Sequence, residues 1–178
     1  MNIAIFGGSF DPVHLGHIEI VRKALKDKDI DKIIIIPNYL NPLKNSFSAP
    51  PELRLKWLKE VFSDLNVEVS DFEIKKNRPV YSIETIKYFK PKYFIIGSDN
   101  LKTLDKWKNI DEILKEVEFI VAKRGKIDKN LLKKYNIKKI IDINIPISST
   151  EIRNCNFKYL PKKIEKEIKE FYEKNCKN

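Results

Sequence analysis

Histidine is nearly missing from this chain, with two in 178 residues. A zinc centre needs three or four ligands. With no other imidazole, and with Cys155 and Cys176 lacking paired ligand spacing, no dedicated metal site is expected. Two cysteines 21 residues apart also argue against a disulfide framework and for reduced thiols in a cytoplasm. No run approaches the roughly 18 apolar residues of a membrane span, and the N-terminus enters a strand-like run without a signal peptide. There is no internal repeat and no low-complexity linker. Arginine is scarce too, since only Arg22, Arg54, Arg78, Arg124 and Arg153 stand among 35 basic residues. The net charge of +10 raises nucleic-acid binding as an alternative. The lysines, however, are scattered, without an arginine-rich helix or an aromatic-stacking motif, so a solvated lysine surface fits better. Neither nucleic acid nor a membrane is expected as a partner.

What is present alternates regularly. Strand candidates at 2–6, 32–36, 67–69, 92–96, 117–122 and 139–142 are separated by helix candidates near 15–27, 50–63, 82–89, 109–115, 128–134, 149–154 and 161–174. Alternation of this kind predicts an α/β fold with a doubly wound, mostly parallel, Rossmann-like sheet. The length suits one domain over 1–178, with the C-terminal helices 149–174 packed on it. On the last helix, Ile164, Ile168, Phe171 and Tyr172 form a packing stripe with no evident chemistry.

Both histidines fall in Gly7-Gly8-Ser9-Phe10-Asp11-Pro12-Val13-His14-Leu15-Gly16-His17, between a buried strand and an amphipathic helix. Gly7 and Gly8 are expected in a strand-to-helix turn, giving backbone freedom and close ligand approach, while the helix N-terminus offers N–H groups to anions. At i, i+3 spacing His14 and His17 point the same way. Helix capping, half of a metal site, and a pair of donors aimed at phosphate oxygens all remain open on spacing alone.

The segment resembles the extended signature of the HxGH nucleotidylyltransferases, in which the two imidazoles contact ATP phosphates. Ile147-Ser148-Ser149-Thr150-Glu151-Ile152-Arg153 resembles the same superfamily's C-terminal signature. Ser148 and Glu151 also satisfy an ordinary capping box. The two roles are compatible, because such a helix start presents N–H groups and hydroxyls to a triphosphate and Arg153 adds a planar fork. Among the other arginines, Arg124 follows a strand where relatives often carry one, Arg22 suits a solvated helix face, and Arg54 and Arg78 are undecided.

The middle of the chain is similar to bacterial nicotinate-nucleotide adenylyltransferases. Tyr93-Phe94-Ile95-Ile96-Gly97-Ser98-Asp99 resembles their Phe-Ile-x-Gly-Ala-Asp segment, with Ser98 for alanine, and implies that Gly97 and Asp99 hold the adenosine part. Trp107, eight residues on, implies a ring stacked on the pyridine, though core packing is its alternative. Tyr81-Ser82-Ile83-Glu84-Thr85-Ile86 resembles the element that opens a helix beside the nicotinate carboxylate, while Ser82 as a plain N-cap is the alternative. Where relatives commonly read Pro-Pro-His-Lys, this chain has Asn41-Pro42-Leu43-Lys44, so the histidine is missing and Lys44 remains. Residues 38–49 are expected to form a substrate-covering loop.

The resemblance implies adenylyl transfer from ATP, with Mg2+, to nicotinate mononucleotide, by direct attack and with no covalent intermediate. Its catalytic residues would be His14, His17 and Arg153. ATP would meet Gly7, Gly8, Ser9, Phe10, His14, His17, Gly97, Asp99, Ser148, Ser149, Thr150 and Arg153. The nicotinate nucleotide would meet Lys44, Tyr81, Ser82, Thr85, Trp107 and Arg124. A pantetheine-phosphate adenylyltransferase and a cytidylyltransferase are the alternatives within the superfamily; a nucleotide-sensing module without turnover is one from another class.

Overall fold

Runs of isoleucine long enough to be buried on both faces pair as parallel strands. In a computed structural model of the chain, which describes residues 1–176, these strands form one sheet. It contains β1 (Ile3–Gly8), β2 (Lys32–Pro37), β3 (Glu68–Val69), β4 (Tyr93–Gly97), β5 (Glu118–Lys123) and β6 (Lys139–Asp142). Their order is β3-β2-β1-β4-β5-β6, and every pairing is parallel. The α/β, doubly wound reading therefore holds.

The helices are α1 (Leu15–Leu25), α2 (Pro51–Val61), α3 (Ser82–Phe89), α4 (Ile110–Glu116), α5 (Lys129–Lys134), α6 (Ser149–Arg153) and α7 (Glu165–Tyr172). Successive strand residues face opposite sides, so Ala4, Phe6, Ile33, Ile35 and Ile95 join one core layer with residues of α1, α2, α6 and α7. Ile5, Ile34, Ile36, Phe94 and Ile96 join the other with residues of α3 and α4. The strand order reverses beside β1, between β1 and β4, and the carboxyl ends there carry the glycine-bearing segments.

Three differences from the sequence expectation have local causes. Gly7 and Gly8 are not in the turn: they are the last residues of β1, paired with Ile36 and Pro37, and Phe10 at φ 49 makes the reversal. α2 starts after Pro50 because a residue that precedes a proline is kept extended, here at φ −59 and ψ 150. Ser98–Lys106 winds as a 3₁₀ segment that delivers Trp107.

A fourth difference is covalent. Cys155 and Cys176, expected as reduced thiols, are joined by a disulfide with Cα atoms 6.0 Å apart. Their separation of 21 residues hides this, because the chain leaves α6, runs through α7 and returns to the same place. No helix among the described residues is long and apolar enough to cross a membrane.

Candidate active site

α1 begins at His14, whose extended backbone at φ −143 makes it the N-cap. Its Nδ1 accepts from the Gly16 N–H at 3.0 Å, and the His17 Nδ1 accepts from the His14 N–H at 3.1 Å. The rings stack with centroids 3.8 Å apart. Gly16 between them is required by space: an added Cβ would lie 2.8 Å from His14 Cε1. Capping and phosphate donation, set against each other on sequence alone, are compatible here. With both Nδ1 atoms accepting, a neutral ring carries its proton on Nε2, so each histidine keeps one N–H donor for a ligand.

Both rings are held neutral. Burial, and then the charge of Arg124, bring the His14 pKa down to about 3, and burial, with His14 and Arg124, pushes His17 well below its ordinary value. A stability test follows from the sign of the His14 shift. The unfolded chain takes up its proton near 6.5 and the folded chain only near 3, so stability present above pH 6.5 is lost as pH falls through that window. His14→Asn keeps a capping acceptor and cannot titrate. Its melting temperature should fall less steeply than that of the wild type between pH 6.5 and 4; parallel profiles would show that His14 is already charged in the fold.

The second signature folds against the first. Ser148 caps α6, its Oγ accepting from the Glu151 N–H at 3.1 Å. Ser149 Oγ donates to the Pro12 carbonyl at 2.9 Å, and Arg153 Nη1 donates to the Asp11 carbonyl at 2.7 Å. Arg153 Nη2 also donates to Thr150 Oγ1. Residues 137 or more apart in sequence thus share one wall. Arg153 lines a cavity of about 220 Å³ with Ser9, Asp11, Asn38, Lys44 and Phe47. The 38–49 segment therefore covers this wall, and Lys44 is the lysine that reaches it.

At the end of β4, Gly97 faces open space, since an added Cβ would meet nothing within 4 Å. Asp99 is exposed in the 3₁₀ segment that follows. Ser98, the residue that departs from the family pattern, fixes the next strand end: its Oγ accepts from the Arg124 N–H at 3.1 Å and donates to the Arg124 carbonyl. Arg124 acts on both histidines through its charge.

The 81–107 elements are brought together as well. Tyr81, not Ser82, is the N-cap of α3, and the Tyr81 N–H donates to Glu84 Oε2 at 3.0 Å. The Lys108 ammonium sits 4.7 Å over the Tyr81 ring. Trp107 packs on Phe94 and Phe119, with centroids 5.6 and 5.9 Å away, and keeps part of its surface exposed. Thr85 points inward, where its hydroxyl donates to the buried Glu73 at 2.7 Å. Burial pushes the Glu73 carboxyl up to about 7. Of the other arginines, Arg22 is exposed on α1 and Arg78 pairs with Glu84.

Known proteins resemble this chain. Residues 5–155 match the cytidylyltransferase-like family. A probable nicotinate-nucleotide adenylyltransferase from a Nitratiruptor species is 48% identical, covering 97% of this chain and 99% of its own. The chain belongs to the nicotinate-nucleotide adenylyltransferases. A second such adenylyltransferase, from Aliarcobacter butzleri, is 45% identical over 94% of this chain and 95% of its own. Among solved structures, the Plasmodium falciparum nicotinic acid mononucleotide adenylyltransferase complexed with NaAD superposes with a TM-score of 0.78 at 25% identity. It covers 99% of this chain and 98% of its own. Two residues that hold this wall do not stand out in the sequence: Asp11, within the motif, and the fully buried Arg54, which donates to the Ser9 and Asn38 carbonyls. Arginine where the chain otherwise uses lysine was the available signal for Arg54.

Proposed function

We propose that this chain transfers the adenylyl group of ATP to nicotinate mononucleotide, releasing pyrophosphate and forming nicotinate adenine dinucleotide. The observation that carries the reading is the histidine pair whose Nδ1 atoms both accept, leaving Nε2–H donors with no partner among the described residues, in a chain that matches nicotinate-nucleotide adenylyltransferases over nearly its whole length. We take residues 1–178 as one nucleotidylyltransferase domain. With Cys155 and Cys176 paired, reduced thiols no longer favour the cytoplasm, and we propose that compartment from the two nucleotide substrates alone.

A phosphate oxygen of the mononucleotide attacks the α-phosphorus in line. The new P–O bond forms as the bond from the α-phosphorus to the bridging oxygen breaks, and the electron pair leaves with pyrophosphate. Each histidine Nδ1 accepts from a backbone N–H and not from a hydroxyl or thiol, so we assign the protein's part to positioning and charge. Orientation supplies roughly 7–11 kcal/mol in favourable cases. His14 and His17 donate Nε2–H to phosphate oxygens as neutral groups, Arg153 adds its fork, and Arg124 brings charge to the same end of the sheet. Gly7, Gly8, Ser9 and Phe10 give the triphosphate a closely approached wall, with Ser148, Ser149 and Thr150 opposite. Gly97 and Asp99 take the adenosine part. Tyr81, Ser82, Trp107 and Lys44 take the nicotinate nucleotide, and Thr85 supports that pocket from beneath.

No group of three or more His, Cys, Asp or Glu is assembled among the described residues, and both oxygens of Asp11 are already hydrogen-bonded. A divalent cation such as Mg2+, brought with ATP, would neutralise charge on the transferring phosphorus and the leaving pyrophosphate.

Purified protein with ATP and Mg2+ should release pyrophosphate with nicotinate mononucleotide, and less or none with nicotinamide mononucleotide or phosphopantetheine. Turnover only with phosphopantetheine would sink the substrate assignment, and none with any would favour a sensing module. Trp107→Ala should raise KM for the pyridine nucleotide at least about fivefold more than KM for ATP, since a stacked ring contributes roughly 1 kcal/mol beyond its burial, and Trp107→Phe should recover most of the difference. Equal rises would make Trp107 a packing residue only.

A further inference from the structure

The final helix carries a buried hydroxyl that no role in substrate contact explains. Tyr172 is fully buried on α7, and its hydroxyl donates to Asp11 Oδ1, 161 residues away. Asp11 is itself almost fully buried and makes further bonds: Oδ1 accepts from the Ala49 N–H at 2.9 Å, and Oδ2 from the Ser48 N–H at 2.7 Å. Its carbonyl takes the Arg153 guanidinium. Arg54 completes the junction, donating to the carbonyls of Ser9, Asn38, Tyr39 and Ala49.

Both ends of the 38–49 loop are thus fixed to one buried pair. Asn38 and Tyr39 hang from Arg54, while Ser48 and Ala49 are held by Asp11 and, for Ala49, by Arg54 as well. Between them Leu43 and Lys44 are exposed, while the Phe47 ring lies 5.6 Å from the Arg54 guanidinium. With both feet fixed and Phe47 resting on Arg54, the base decides where Lys44 reaches. Ser9 and Arg153 are bonded to the same junction, which puts the loop base and the proposed phosphate wall on one frame.

We propose that Tyr172, acting through Asp11, is a positioning residue for the transfer reaction: the C-terminal helix sets the base of the 38–49 loop against the Ser9–Asp11 segment and Arg153. The inference rests on the adenylyltransferase reading. Burial, and then the Asp11 charge, raise the Tyr172 pKa, so the hydroxyl stays a donor at all working pH values. Tyr172→Phe removes one oxygen and keeps the ring, while Asp11→Asn turns one of the two acceptors into an amide that opposes an N–H.

In the intact chain without nucleotide, trypsin cleavage after Lys44 should be at least fivefold faster in both variants than in the wild type. In each, kcat/KM should fall at least tenfold, measured well below the melting temperature. Unchanged cleavage in Tyr172→Phe overturns the tether, and faster cleavage with unchanged kcat/KM overturns its part in the reaction. Should Asp11→Asn fail to fold, Tyr172→Phe decides alone. A wild type inactive on every nucleotide overturns the functional reading beneath the inference, whereas an active wild type matched by both variants overturns the inference alone.

Discussion

Replacing His17 with alanine is expected to cut kcat about 100-fold, the usual cost of removing one donor aimed at developing charge. The fold should survive. Alanine suits a helical position, and what the fold loses is the cap bond from the His14 N–H, on the order of 1 kcal/mol, together with the ring's packing on His14, Phe6 and Phe10. The His14 Nδ1 to Gly16 bond remains. Because burial and neighbouring charge keep His17 neutral far below its ordinary value, the lost function is hydrogen-bond donation to phosphate, not proton transfer. Two measurements separate these. Wild-type kcat should show no titration step near pH 6.5, the ordinary histidine value, and His17→Ala should lower kcat at every pH by the same factor. A step there that disappears in the variant would make the ring a general acid or base, and an unchanged kcat would remove it from the reaction.

The outline of the molecule was legible in the sequence for a simple reason: Ile33 to Ile36 or Tyr93 to Ile96 cannot be buried on both faces except inside a covered parallel sheet. Element ends were less legible, since they depend on partners. Gly7 and Gly8 look like a turn until β2 is known to continue beside them to Pro37. The two signature motifs were readable as local patterns, and the structure adds why they meet: Ser149 and Arg153 bond to the backbone of Pro12 and Asp11.

Long-range chemistry left little trace in the sequence. Tyr172 sits on an apolar stripe and looks like core, because nothing in its own helix reveals that its hydroxyl finds Asp11. Thr85 looked like a ligand contact because the family element includes it, yet Glu73, twelve residues upstream, takes its hydroxyl. Cysteine pairing failed for the same reason. Separation along the chain carries no information about a loop that closes by way of α7.

Arg54 was undecided for want of a neighbour to implicate it, and it carries the largest expected effect on stability. Its guanidinium is fully buried and faces four carbonyls at 2.6–2.9 Å, with no carboxylate ion pair among the described residues. Burial pulls its pKa down while the nearby Asp11 charge opposes this, and an arginine stays charged under such pressure where a lysine would not. Arg54→Leu should cost about 3–5 kcal/mol, since four carbonyls, two of them in fully buried bonds, lose partners and Asp11 loses its neighbouring cation. For a chain of this size that corresponds to a melting temperature lower by roughly 6–20 °C. Arg54→Lys should lose about half as much, because one ammonium cannot span acceptors arranged for a planar fork. The damage should begin locally. The carbonyls that lose their donor belong to the loop base and the Ser9 segment, so amide exchange at Ser48 and Ala49 should accelerate before the sheet amides of β1 and β4 do. Uniform acceleration across the sheet would show that Arg54 supports the whole core, and wild-type stability in Arg54→Leu would show that water replaces the guanidinium without loss.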